Sequence, residues 1–315
     1  MGKYLIGRVL QLIPVMWLIG TIVFVVFRLV PGDPAMLRLG PEASPESLAA
    51  LRKQMGVDRP LYVQYGSWML GLLRGDLDRS FVSGDPVWSL VLAKVPASVE
   101  LAILGLLIGT LIGVPIGVLS AVRQDSWLDN LARTASLFGF CLPRYWLAIL
   151  LIAIFSIELR AMPVAGYVAF GEDPLGNLRY ALLPALTMGL PIAAVEMRFL
   201  RSSMLDVVRQ DYVRTARSKG LSERLVIYRH ALRNAMIPFL SILGLEAGFL
   251  LGGSVIVEQI FSWPGIGWLM IQSITQRDYP IVQGAVLLSA FVFVTINLLV
   301  DVGYAVLDPR IRLGS

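Results

Sequence analysis

The stretch "ASVELAILGLLIGTLIGVPIGVLSAV", residues 97–122, decides the fold. It is longer than the ~20 residues that a helix rising 1.5 Å per residue needs to cross ~30 Å of hydrocarbon. It consists mainly of Leu, Ile, Val, Ala and Gly, without the polar–apolar alternation of a strand in a membrane barrel. The stretch therefore predicts a transmembrane α-helix.

The whole chain has the composition of an integral membrane protein. Of its 315 residues 56% are hydrophobic and 16% charged, and the mean hydropathy is +0.71, which excludes an ordinary soluble domain. We predict an all-α bundle of six transmembrane helices. Apolar runs of sufficient length lie at roughly 9–30, 97–122, 132–157, 181–201, 237–257 and 283–306.

Basic residues near the helix ends predict the orientation. Six spans place both termini on one side, and cytoplasmic segments of membrane proteins are enriched in Lys and Arg. We therefore expect a multi-pass protein with both termini in the cytoplasm. The flanking residues on that side are Lys3, Arg8, Arg123, Arg133, Arg310 and Arg312.

The spans suggest three regions. Residues 1–30 contain the N-terminus and the first span, and residues 97–315 form a core of five spans that includes a cytoplasmic loop at 202–236. Between them, the loop 31–96 contains "SPESLAALRKQMG", residues 44–56, where Ser44 is a suitable N-cap. An apolar stripe follows, so we expect this loop to lie on the outer membrane surface as short helices. The stripe consists of Leu61, Tyr65, Trp68, Met69 and Leu72.

The positive charge is concentrated between the fourth and fifth predicted spans. Residues 198–233 contain nine basic and three acidic residues. Within them "DYVRTARSKG", residues 211–220, predicts a short helix that ends at Gly220 and is followed by a second helix at about 223–234. Its uncharged strip, Tyr212, Thr215 and Ala216, suggests a docking element for a soluble partner. The alternative is a solvated basic loop near anionic lipid.

The same block carries a resemblance. "DYVRTARSKG" and the following "HALRNAMIP", residues 230–238, resemble the EAA loop in membrane subunits of ATP-binding-cassette importers, whose coupling helix inserts into a groove of the ATPase subunit. The Ala-x-x-x-Gly core of that loop corresponds to Ala216 and Gly220. The resemblance implies that ATPase-coupling residues are Asp211, Tyr212, Arg214, Thr215, Ala216, Arg217, Lys219 and Gly220.

Other segments extend the resemblance over nearly the whole chain. They are similar to the first of the two permeases in the dipeptide, oligopeptide and nickel group, which carries a long loop after its first helix. This implies a type I importer permease fold, a bacterial inner membrane location, a second permease subunit, two ATP-binding subunits and an external solute-binding protein. The segments are "RLVPGDPA" at 28–35, "GVDRPLYVQY" at 56–65, "LRGDL" at 73–77, "RSSMLDV" at 201–207, "IFSWPGIG" at 260–267, "RDYP" at 277–280 and "NLLVDVGYAVLDPRIR" at 297–312.

The chain lacks sequence signatures of an enzyme. A phosphate-binding loop needs glycines ahead of Lys-Ser or Lys-Thr, and the only Gly-Lys is Gly2-Lys3. With one histidine and one cysteine, no zinc site is recognisable. We therefore expect no cofactor or metal in this chain, so that energy must come from partners or from an ion gradient. The concentration of positive charge in one loop predicts no nucleic-acid partner. The resemblance implies that ATP and Mg are bound by the partner ATPase subunits.

Two charges lie deep within predicted spans. An ionisable group there costs about 2.5–3.5 kcal/mol on insertion scales, so each suggests a function. Arg144 and Glu246 either form a structural pair or line the translocation path and bind the charged termini of a peptide. We predict import of di- or oligopeptides, with nickel, a metal chelate or glutathione as alternative cargoes. An autonomous ion-coupled carrier that uses Arg144, Glu246 and Asp301 is the rival class.

Overall fold

The chain folds into helices in the computed structural model, which describes residues 2–29, 32–40 and 42–307, with side chains except at 2–9, 37, 251–253 and 300–307. No strand occurs in this part, where Arg79 and Pro86 form one isolated bridge. Five charged residues named in the sequence analysis lie outside the described side chains: Lys3, Arg8, Asp301, Arg310 and Arg312. The helices are α1 Gly2–Leu29, α2 Pro34–Leu39, α3 Pro45–Met55, α4 Leu61–Leu73, α5 Val87–Leu92, α6 Val95–Val122, α7 Trp127–Cys141, α8 Arg144–Leu151, α9 Pro174–Val208, α10 Asp211–Ser218, α11 Glu223–Leu225, α12 Arg233–Gly253, α13 Val255–Ile260, α14 Ile266–Thr275 and α15 Tyr279–Leu307.

The structure confirms an all-α membrane protein but not the count of six spans. Within the described part, four helical segments are long and apolar enough to cross a membrane, and a bent pair of helices gives a fifth. The four are Leu10–Leu29, Val87–Val122, Pro174–Val208 and Tyr279–Leu299.

The third predicted span, 132–157, is not one straight helix. Helices α7 and α8 meet at an angle of 104°, and π-helical turns at Ile152–Glu158 continue α8. Leu142 between them is extended, with ψ 124°. The cause is Pro143, because proline disfavours helical backbone at the preceding residue and cannot donate to the preceding turn.

The fifth predicted span, 237–257, begins earlier and ends earlier than expected. Backbone from α11 continues through π-helical turns at Val226–Leu232 into α12. The reason is one stripe of buried residues that runs through the predicted boundary and packs against Val118 and Leu200, so that loop and span share a single helical face. The stripe consists of Ile227, Ala231, Ala235 and Phe239.

Helices α6 and α9 form the centre of the bundle, and glycines on α6 set their separation. A Cβ atom built on Gly109 would lie 2.6 Å from Ile192 Cγ2, and one on Gly113 would lie 2.9 Å from the backbone oxygen of Ala193. Gly105 and Gly117 make similar close approaches to α9. Small residues at a spacing of four let two helix backbones pack closely in a membrane.

A buried carboxylate holds the segment "FSWPGIGW", residues 261–268. The fully buried Glu258 accepts hydrogen bonds from Ser98 Oγ at 2.8 Å, Ser254 Oγ at 2.6 Å and the Trp268 N–H at 2.9 Å. The indole N–H of Trp263 donates to the Ala97 oxygen at 2.8 Å. The segment is therefore part of the core, and its aromatic side chains at 261 and 263 are buried.

The long loop after α1 packs on the bundle through α4. Tyr65 and Trp68 place their rings 5.3 and 5.4 Å from that of Phe24 on α1. The hydroxyls of Thr21 and Tyr65 are hydrogen-bonded at 2.8 Å. These two aromatic residues therefore contact α1 rather than only a membrane surface.

The contact between α6 and α9 is testable with two matched glycine substitutions. Gly113→Ala should lower the free energy of unfolding by about 1–3 kcal/mol, because the new methyl group meets backbone that cannot yield. Gly66→Ala, on α4 where nothing lies within 4 Å of the new atom, should raise it by about 0.5–1 kcal/mol through helix propensity. Thermal unfolding of both variants in detergent measures the effects. Equal changes in the thermal stability of the two variants would contradict the close packing of α6 against α9.

Candidate functional site

Helix α10 is attached to the bundle by its apolar face. Val213 is fully buried and Ala216 is 6% exposed, and both pack against Val226 and Val207. The predicted helix with a glycine stop is confirmed, since α10 ends at Ser218 and Gly220 has φ +77°. The predicted uncharged strip is wrong for Ala216, which faces inward, because this residue completes a buried stripe with Val213.

Two polar contacts fix the ends of α10. The Arg217 guanidinium donates to both carboxylate oxygens of Glu223, from Nε to Oε2 at 3.1 Å and from Nη2 to Oε1 at 2.7 Å. This contact lowers the pKa of the Glu223 carboxyl. Near the other end, Asn234 Nδ2 donates to the Tyr212 hydroxyl at 2.8 Å. The helix is therefore held against α11 and α12 and presents a fixed outer surface.

That outer surface consists of the remaining predicted coupling residues. Arg214 and Asp211 approach only to 4.0 Å and are 81% and 98% exposed, so their pairing contributes little. Thr215 is exposed and its hydroxyl donates to the Asp211 backbone oxygen at 2.9 Å. Tyr212, Lys219 and Gly220 are exposed as well. The surface combines hydroxyl groups, one carboxylate and a net positive charge.

A buried ion pair that we did not predict joins α7 to α9, the helix that precedes α10. Asp129 on α7 is fully buried and accepts from Arg201 on α9, from Nε to Oδ1 and from Nη2 to Oδ2, both at 2.7 Å. Ser120 on α6 donates to the same carboxylate. Three helices thus meet at one carboxylate, just before the chain reaches α10. No local pattern reveals it, because the partners are far apart in sequence.

The two deep charges, Arg144 and Glu246, lie near each other. Arg144 is the first residue of α8, directly after the bend, and Glu246 lies on α12. Both are half-buried, and Arg144 lies within electrostatic range of Glu246. The structure therefore brings together the two residues proposed to line a path.

A third deep charge adjoins this pair. Glu196 on α9 is fully buried, accepts from Thr110 Oγ1 at 3.1 Å and lies in electrostatic range of Glu246. Its Oε2 atom has no hydrogen-bond partner in the described chain. The middle of the bundle thus contains two neighbouring carboxylates and one guanidinium.

Comparison with known proteins matches both halves of the chain. Residues 113–313 match the family described as binding-protein-dependent transport system inner membrane component. Residues 1–102 match its N-terminal component.

Two relatives cover the chain end to end. One is named as a peptide transport system permease protein of Brucella abortus (strain 2308), 44% identical over 312 residues that cover 99% of each chain. The glutathione transport system permease protein GsiC of Escherichia coli O6:H1 is 41% identical over the same length and coverage.

A solved structure shows the same fold. It is a crystal structure of an amino acid ABC transporter with histidines, whose matching chain is 18% identical, with a TM-score of 0.54. The match covers 69% of this chain and 94% of the other. At this identity the likeness concerns the fold alone.

The Arg217–Glu223 contact predicts a pH-dependent attachment of α10. A carboxyl whose pKa is lowered by folding stabilises the fold above its ordinary pKa and loses that contribution as pH falls through the lowered value. Because both groups are about half exposed, Glu223→Gln should speed amide exchange in α10 at neutral pH by at most about fivefold. This difference should shrink as pH falls below about 4.3, the ordinary pKa of a glutamate, and vanish once the Glu223 carboxyl is protonated in the folded protein. Hydrogen exchange by mass spectrometry measures it, with Asp211→Asn as the control expected to change little.

Proposed function

The chain belongs to the family of binding-protein-dependent transport system inner membrane components, and from that membership we propose that it is a permease subunit of an ATP-driven importer of di- and oligopeptides. The observation that carries the cargo class is the 44% identity, over 99% of both chains, to a protein named as a peptide transport permease. The chain is a multi-pass membrane protein, and its role is to form part of a path rather than to catalyse a reaction.

We propose the following assembly and orientation. The basic block around α10 and both termini lie in the cytoplasm, in line with the enrichment of Lys and Arg on that side, and residues 31–96 lie outside. A second permease subunit completes the path, and an external solute-binding protein delivers the cargo. Two ATP-binding subunits hold ATP and Mg and contact the loop 202–236 from the cytoplasm.

We propose that α10 is the coupling helix. Its buried face fixes it to the bundle through Val213 and Ala216, while Tyr212 and Thr215 are exposed. A force on this outer surface reaches α9 through a short connection, and α9 is joined to α7 by the Asp129–Arg201 ion pair. Movement of an ATPase groove would thereby move several spans together, which alternating access requires.

A charge placed on the outer surface of α10 should uncouple the complex. Thr215→Glu should lower cargo-stimulated ATPase activity about tenfold or more, because a carboxylate would be buried without a partner in the groove. ATPase activity of the assembled complex in lipid vesicles measures the effect, with the fraction of ATPase subunits that co-purify as a second readout.

Thr275→Glu is the matched control for this substitution. Thr275 is also exposed, on α14, and its hydroxyl donates to the backbone oxygen four residues earlier at 2.9 Å, as that of Thr215 does. The control should assemble with its ATPases normally. Full stimulated activity of Thr215→Glu in an intact complex would exclude α10 as the coupling helix.

We propose that Arg144 and Glu246 line the translocation path and bind the charged termini of a peptide. Their half-buried positions beside the α7–α8 bend leave part of each group accessible. A guanidinium complements a carboxylate terminus, and a carboxylate complements an ammonium terminus. A purely structural pair would instead serve to neutralise two charges within the bundle.

A double-mutant cycle separates these two roles. If the residues bind cargo, Arg144→Ala and Glu246→Ala should each raise the KM for peptide transport about tenfold, and the double variant should raise it further. If they only pair, the double variant should recover thermal stability lost in each single variant, with an unchanged KM. Glu158→Ala, at an exposed position, is the control. An unchanged KM in both single variants and in the double variant would disprove contact of Arg144 and Glu246 with the cargo.

Glutathione is the second candidate cargo, because a relative of 41% identity is named as a glutathione permease. Competition between labelled peptides and glutathione for uptake by the complete complex distinguishes the two, and a nickel chelate serves as a further competitor. Uptake by the chain alone, without ATPase subunits, would instead indicate an ion-coupled carrier.

A further inference from the structure

Segments that lie far apart in sequence converge on a cavity beside the outer end of α1. The cavity has a volume of about 320 Å³, is partly open, and is lined by α1, the end of α3, α4, residues 76–81 and the start of α15. Four of the segments quoted above, those beginning at residues 28, 56, 73 and 277, contribute to its wall. The coupling and translocation roles proposed above use none of these residues.

Buried polar atoms without partners line this cavity. Three of these atoms are donors without an acceptor in the described chain: Nε and Nη1 of Arg28, and Nε2 of Gln283. The fourth is an acceptor without a donor there, Oε1 of Gln64. Gln64 and Gln283 are only 6% and 4% exposed. Nε2 of Gln64 donates to the backbone oxygens of residues 57 and 59, at 3.2 and 2.7 Å, which leaves Oε1 as the unused atom. Buried polar atoms without partners are costly and rare, so a group from outside is the natural partner.

The charge of the site favours an anion. The Arg28 guanidinium lies over the rings of Phe24 and Tyr279, at 5.1 and 5.8 Å from their centroids. Two carboxylates also line the cavity: Asp76 Oδ1 accepts from the Asp78 N–H at 2.9 Å, and Asp78 Oδ1 accepts from the next N–H at 2.8 Å. Asp78 lies within electrostatic range of Arg28. Lys53 and Arg59 add positive charge at the rim, so that three cations face two carboxylates.

We propose that this cavity binds a carboxylate that carries a neighbouring N–H group, as the C-terminal residue of a peptide does. The carboxylate would accept from Arg28 and Gln283, and the amide N–H would donate to Gln64. The inference rests on the proposed peptide cargo and adds a second contact point outside the path. The same chemistry is also available from a carboxylate of the docked solute-binding protein.

The sharpest test is Gln283→Glu, which places a carboxylate of the chain itself in the cavity that Arg28 lines. The variant should keep or raise the thermal unfolding midpoint while losing affinity for dialanine about tenfold or more, because the ligand's place is occupied. Arg28→Lys, which keeps the charge but removes the unpaired guanidinium donors, should weaken binding in the same direction. Arg74→Met removes an exposed cation that does not line the cavity and is the control.

Binding is measured by calorimetry on the purified full-length chain in lipid nanodiscs, with dialanine and its C-terminal amide as probes. The amide should bind at least about tenfold more weakly, since it lacks the charged acceptor. If dialanine does not bind, but Gln283→Glu and Arg28→Lys both weaken attachment of the solute-binding protein to the assembled complex, the carboxylate belongs to that protein. If Gln283→Glu and Arg28→Lys both leave the affinity for dialanine and the affinity for the solute-binding protein unchanged, the carboxylate site is disproved.

Different results would contradict the proposed peptide cargo and the proposed ligand of the cavity. A wild-type complex that imports no peptide would contradict the proposed cargo, while dialanine binding by the chain would still stand. Normal peptide import together with unchanged affinities in both variants would remove only the cavity's role.

Discussion

Close packing of α6 against α9 is the constraint on which the rest of the structure depends. Gly109 and Gly113 leave no room for a side chain between the two backbones. This contact positions Ser98 near one end of α6 and Ser120 near the other, and each donates to a buried carboxylate from another helix. On α9 the same contact places Arg201 within reach of the second carboxylate. One steric fit therefore aligns polar contacts at both ends of the bundle.

The polar groups at the ends and in the middle of the bundle are satisfied to different degrees. Glu258 and Asp129 each accept several hydrogen bonds, and such satisfied networks rigidify their surroundings. Glu196, in the middle, has a carboxylate oxygen without a partner among the described residues, and it lies near Glu246. A bundle that is fixed at its ends and incompletely paired at its centre suits a transporter, whose path must change while its spans move as units.

Hydropathy and local capping rules predicted the helical membrane class, the Ser44 cap of α3 and the extent of α10, because each depends on residues close in sequence. Pro143 within the third predicted span indicated a kink there, but an apolar window alone gives one straight span, since it counts composition and ignores the extended backbone before a proline. The start of the fifth span, predicted at about residue 237, instead lies inside a continuous helix for the opposite reason. There, tertiary packing of one buried stripe keeps the helix continuous through the proline.

Periodicity alone could not show which face of α10 packs against the bundle. The observed packing leaves a different outer surface from the strip that the sequence predicted. Ala216 belongs both to a strip with Tyr212 and Thr215 and to a strip with Val213, and only the contact with the bundle selects the second. Its small size therefore allows close attachment to the bundle rather than entry into a groove. The outer surface that remains combines hydroxyls, the Asp211 carboxylate and cations, of which Arg217 is paired with Glu223. Under the proposed coupling role, the groove of the partner should be polar, with acidic groups placed opposite this net positive charge.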